Sequence, residues 1–116
     1  MDLHTESDSG PFSGREKAIK NMGGMVWLYE KHLAKFMSAY ADSPLNIRTL
    51  IIEGDLHEAR LLAHSIKGLS ATLGMERLSK ASAALELAII NQNRSIEILL
   101  LNYEICLNEI IDAGPK

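Results

Sequence analysis

Asp55 to Gly74 read DLHEARLLAHSIKGLSATLG, and the apolar members of this run keep helical rather than strand spacing. At 100° per residue, Ala59, Leu62, Ile66, Leu69 and Leu73 fall within about 60° of the direction opposite His64. The spacing predicts a helix over 55–73 that packs this stripe inward and turns His64 toward water. The face around the imidazole carries Arg60 at i−4, Leu61 at i−3 and Lys67 at i+3, then Gly68 and Ala71 at i+4 and i+7. A glycine inside a helix costs about 0.5–1 kcal/mol relative to alanine. No turn is required at Gly68, because apolar spacing continues to Leu73. The compensating benefit is the missing side chain, which lets another molecule approach the imidazole.

Working outward, Asp55 is placed to cap this helix, with Glu58 three residues on in a carboxylate variant of the capping box, and Gly74 is placed to end it. A very short link leads to a predicted helix over 76–91 with Leu78, Ala81, Leu85, Ala88 and Ile89 on one side and the small Ser82 among them. So short a link makes the two helices antiparallel neighbours. After Asn91-Gln92-Asn93, a helix over 95–112 repeats Ile96, Leu99, Leu100, Tyr103, Cys106, Leu107, Ile110 and Ile111 in a heptad-like stripe. Upstream, Val26, Tyr29, Leu33, Phe36, Met37 and Tyr40 define a helix over 25–40. Pro44 suits the first turn of a short helix over 44–53 that ends at Gly54. A further short helix over 15–22 is closed by Gly23-Gly24. No segment alternates like a strand. The expectation is an all-α fold: an antiparallel up-down four-helix bundle with one or two additional short N-terminal helices, over 15–114. Residues 1–14, rich in Ser, Gly, Pro and Asp, are expected to form a flexible lead or linker that adds little to the core.

The 116 residues, 47% of them hydrophobic, suit one domain with a continuous core. With 12 Lys and Arg against 15 Asp and Glu, no cationic excess is available for a phosphate backbone, so nucleic acid is not an expected partner. No apolar run reaches the roughly 18 residues that span a bilayer, and the acidic N-terminus lacks the pattern of a signal peptide; a cytoplasmic protein is expected. Cys106 is the single cysteine, which excludes an internal disulfide and reads as packing on the apolar stripe of the last helix. A metal site is not expected. His57 and His64 stand about 10 Å apart on one helical face with Arg60 and Leu61 between them, His4 lies in the lead, and His32 reads as a surface or boundary residue.

The run Ala63-His64-Ser65-Ile66-Lys67-Gly68-Leu69-Ser70-Ala71-Thr72-Leu73-Gly74 resembles the signature of histidine-containing phosphotransfer (HPt) domains, A-H-x-(aliphatic)-K-G-x-(S/A)-x-x-(apolar)-G. The flanks agree: Gly54-Asp55 opens the helix, Leu78 and Leu85-Glu86 match leucine positions of the next helix, and Leu33 and Phe36 match an earlier one. The likeness covers about residues 24–112. It implies that His64 accepts and donates a phosphoryl group through its outer ring nitrogen, that Lys67 supplies positive charge near the phosphoryl oxygens, and that Gly68 leaves room for the partner. It implies receiver domains as partners, with Mg²⁺ bound in the receiver rather than in this chain. Leu61, Gly68 and Ala71 would then form much of the docking patch, with His57 and Arg60 at its edge. An exposed imidazole with a reference pKa of about 6.5 is largely neutral near pH 7, as an attacking nitrogen must be.

Autonomous kinase activity is not expected, since Ser65 rather than an acid follows His64 and there is no G-x-x-x-x-G-K-[ST] loop. The expected setting is the C-terminal module of a hybrid sensor kinase, monomeric as an isolated domain. The alternatives are a non-catalytic helical adaptor and the phosphotransfer module of a chemotaxis-type kinase.

Overall fold

The computed structural model describes residues 10–114. Within them the chain forms α1 (Arg15–Asn21), α2 (Val26–Tyr40), α3 (Ser43–Ile52), α4 (Leu56–Thr72), α5 (Glu76–Ile90) and α6 (Ile96–Ala113), and no strand occurs among the described residues. The all-helical expectation holds, and the helix boundaries lie within one or two residues of those read from spacing. Gly23, Gly24, Gly54 and Gly74 take φ values of 75°, 77°, 81° and 75°, and each stands between two helices. Asp55 occupies the N-cap of α4, but its side chain makes no capping hydrogen bond. Its charge, and that of Glu58 in the first turn, still complement the positive end of the helix.

One core serves all the helices. Tyr29 and Leu33 of α2, Ile47 of α3, Ile66 of α4, Leu78 and Leu85 of α5, and Leu100 and Leu107 of α6 are buried together. The contact of α4 with α5 is the most extensive, followed by α5 with α6 and α3 with α4. Where α4 and α5 meet, the chain is rich in small side chains: Ala59, Ala63 and Ser70 on α4, Ala81 and Ser82 on α5, all buried. Small residues let two helices approach closely, which brings α5 within reach of the His64 face. Two tyrosines are buried with their hydroxyls satisfied. Tyr29 donates to the Leu73 carbonyl at 2.6 Å, and Tyr103 shares a 2.5 Å hydrogen bond with Ser43. Burial pushes both phenols above their ordinary range.

Three expectations are corrected. Val26 was expected on the core face of α2 but is 47% exposed; as the first residue of the helix it lies beyond the region covered by the other helices. Leu69, at 41% exposure, is not buried as Ala59, Ile66 and Leu73 of its stripe are; it lines a cavity between α1, α2 and α4. The lead expected through residue 14, which contains His4, lies outside the described residues up to position 9. Its remainder, 10–14, is engaged with the body: Phe12 packs against the core, Ser13 donates to Glu76 at 3.0 Å, and the Gly14 N–H donates to the Gly74 carbonyl at 2.8 Å. Arg15 continues the attachment through a 3.2 Å ion pair with Glu30 and by lying over the Tyr29 ring.

The Gly14–Gly74 contact leaves no room for a methyl group. A Cβ on Gly74 would stand 2.3 Å from the backbone of Gly14, on a residue already at positive φ. Gly74→Ala is expected to destabilise by about 2–4 kcal/mol, combining the left-handed conformation with overpacking. The denaturant midpoint measures it; an unchanged midpoint would show that the start of α1 is not seated on this turn.

Candidate functional site

His64 lies in the middle of α4 with its ring outward, its side chain 57% exposed. It does not stand alone. Glu86, on α5, is buried to 9% side-chain exposure and directs its carboxylate at the same spot. Its Oε2 lies 3.0 Å from His64 Nδ1 and 3.6 Å from an Arg60 guanidinium nitrogen, and its Oε1 lies 3.0 Å from Lys67 Nζ. One carboxylate therefore gathers three side chains of α4, at 60, 64 and 67, the helical neighbours of one face.

The charge state of Glu86 decides which atom donates in its contact with the imidazole. Burial alone would raise its pKa, but hydrogen bonds from Lys67 and His64, and their charges, outweigh burial and hold the carboxyl below its ordinary value of 4.5. An ionised carboxylate only accepts, so Nδ1 carries the proton and donates. In the neutral ring Nε2 then carries the lone pair, directed away from Glu86 on the exposed side. Because the folded-state pKa is depressed, Glu86 stabilises the fold fully above about pH 4.5, and that contribution disappears as pH falls through the lowered value. In thermal melts, the advantage of the natural protein over Glu86→Gln should be present above about pH 4.5 and shrink progressively as pH falls further below it. An advantage that does not shrink on acidification would show that the ionised carboxylate is not its source.

The surroundings are arranged for approach. Gly68 is one turn from His64, and a Cβ built there would meet nothing within 4 Å. No internal packing requires glycine at 68, and its carbonyl accepts from the Thr72 hydroxyl at 3.1 Å. Below it, Ser79 of α5 donates to the Lys67 carbonyl at 3.0 Å, tying this turn of α4 to α5, while Ser70 donates within α4 to the Ile66 carbonyl at 2.6 Å. The rim expected to meet a partner has the exposure it needs: His57, Leu61 and Ala71 are exposed and Arg60 is half-buried. Leu56, His57, Arg60, Ile89, Ile90 and Gln92 line an open depression at the edge of this face.

Spacing therefore gathered His64, Arg60, Lys67 and Gly68 on one surface, but it missed Glu86, which appears in the sequence reading only as a flank. A signal was available. Its helical neighbours at i±3 and i±4 are Ser82, Ala83, Ile89 and Ile90, so an acid stands on a face with no charge to pair with inside its own helix. Such a residue must find its partner across an interface. Cys106 is half-buried and packs against the core, and burial raises its thiol pKa, which makes it a poor nucleophile. Among the described residues no helix is long and apolar enough to cross a membrane.

A family model described as Hpt domain matches residues 32–113, which include α4 with His64 and α5 with Glu86. No curated protein and no solved structure shows a significant match.

Proposed function

The chain belongs to the Hpt domain family, whose members serve histidine phosphotransfer in phosphorelays, and from that premise we propose that His64 is the residue that carries the phosphoryl group. The observation that supports this most is the Glu86–His64 hydrogen bond, which presents Nε2 outward as the nucleophile. In the proposed step the Nε2 lone pair attacks the phosphorus of an aspartyl phosphate on a receiver domain. The N–P bond forms as the bond from phosphorus to the aspartate oxygen breaks, and the carboxylate leaves. Nδ1 keeps its proton, so the ring gains positive charge during transfer, and the carboxylate of Glu86 stabilises that charge. Transfer back to a second receiver reverses the same step.

Phosphoryl transfer depends mainly on position and on charge placed at the equatorial oxygens. Lys67 and Arg60 are near enough to turn from Glu86 toward a phosphoryl group on Nε2. The receiver brings Mg²⁺ and the rest of the positive charge, so this chain needs no metal of its own. Exposed Leu61 and Ala71, the open backbone at Gly68, and His57 and Arg60 at the edge form the surface on which the receiver docks. The helices α2, α4, α5 and α6 are read as an antiparallel up-down bundle with α1 and α3 as additions, acting as a monomer. The module is read as cytoplasmic and as part of a hybrid sensor kinase, without kinase activity of its own.

The test is to mix the protein with a phosphorylated receiver and identify the labelled residue. A phosphoramidate on His64, stable in base and labile in acid, is expected. Label on a hydroxyl or carboxylate side chain, or no label with any receiver of the source cell, would overturn the reading. Gly68→Ala separates access from stability. Since nothing opposes the methyl and the backbone is helical, the variant should be about 0.5–1 kcal/mol more stable, yet its transfer should slow at least several-fold as the receiver is held away. Equal rates would show that Gly68 does not serve approach.

A further inference from the structure

A cavity of about 440 Å³ lies between α1, α2 and α4, and neither His64 nor Glu86 lines it. Its walls are Met22 at the end of α1, Phe36 and Tyr40 on α2, and Leu69 and Leu73 on α4. Phe36 and Tyr40 pair with ring centroids 5.1 Å apart and form an aromatic side to it. Leu69 belongs to the inward stripe of α4 by spacing, but here it lines the cavity and is 41% exposed. A cavity of this size and lining falls in the range that takes small molecules with an apolar body.

The polar groups decide the class of molecule. Thr72 reaches the cavity, but its hydroxyl already donates to Gly68. The others are His32 and Lys35, three residues apart on one face of α2. No acid lines the cavity, and among the described residues neither His32 nor Lys35 stands in an ion pair. The rim therefore offers positive charge and N–H donors without a counter-anion, above an apolar floor.

We propose that this cavity binds a small amphipathic carboxylate, with an alkyl or aryl body against Phe36, Leu69 and Leu73 and its carboxylate at Lys35 and His32. A small polar anion would leave the apolar floor wet, and an alkyl ammonium would meet charge of its own sign. The proposal does not rest on phosphotransfer at His64.

The test uses the full chain and backbone amide NMR, titrated with decanoate, decanol and decyltrimethylammonium. Decanoate is expected to give saturable shifts confined to residues 32–40 and 69–73, and to bind at least 10-fold more tightly than either of the other two. Lys35→Glu, an exposed change, should weaken decanoate at least 10-fold and leave decanol unaffected. Leu69→Trp, filling the space, should abolish binding of both. Shifts that do not saturate or that scatter over the surface would overturn the proposal. So would equal affinity for decanoate and decanol, or decanoate binding untouched by Lys35→Glu.

Discussion

His64→Gln will remain folded and will carry no phosphate. The side chain is more than half exposed, so the change removes little packing, and glutamine can still meet the Glu86 carboxylate. The expected loss of stability is within about 1 kcal/mol. Transfer from a phosphorylated receiver, followed by labelled phosphate, should fall by more than about 1,000-fold, as for the loss of a nucleophile. No other group can replace it: Lys67 and Arg60 are engaged by the Glu86 carboxylate, Ser65 has no base, and Cys106 lies partly buried on α6 with burial raising its thiol pKa. Undiminished transfer in this variant would end the case for His64.

Glu86→Ala is the second large effect and acts through the imidazole rather than on phosphate directly. Without the carboxylate, nothing assigns the proton to Nδ1, the ring can rotate, and the positive charge acquired during transfer has no counter-charge nearby. Misplacement of a reacting group by about 1 Å costs on the order of 100-fold, so transfer should slow by about 10- to 100-fold. Glu86→Gln should fall between, since its amide oxygen still accepts from Nδ1 while the charge is lost. That order, natural above Gln above Ala, distinguishes positioning from general support of the fold. Stability is expected to drop only by about 1–2 kcal/mol in the Ala variant, because Arg60 and Lys67 are about one-third exposed and His64 more than half, so all three recover water, unlike the partners of a fully buried pair. Full transfer rates in Glu86→Ala, measured on folded protein, would show that the hydrogen bond does not prepare the nucleophile.

The helices were legible because their signal is redundant. α4 shows its inward stripe at Ala59, Leu62, Ile66 and Leu73, the glycines at 54 and 74 mark its ends, and the same logic sets the limits of α5 and α6. Outward placement of His64 followed from that stripe alone. What stayed hidden depended on distance across the fold. Leu69 obeys the same period as Ile66, and only the separation of α2 from α4 leaves it open. Phe12 and Gly14 carry no period; Phe12 packs on the core, and Gly14 is held by the turn at Gly74, sixty residues further along the chain. Glu86 showed an unpaired acid on an apolar face, but the identity of its partners required the register of α4 against α5.

At rest, the carboxylate on α5 keeps two cations occupied that a phosphoryl group would also claim. On the phosphotransfer reading, loading His64 is an exchange of one anion for another rather than the filling of an empty charged cradle. The net gain on loading is therefore small, and so is the loss on unloading. A carrier built this way avoids becoming a sink: it surrenders its cargo to the next protein about as readily as it took it from the last.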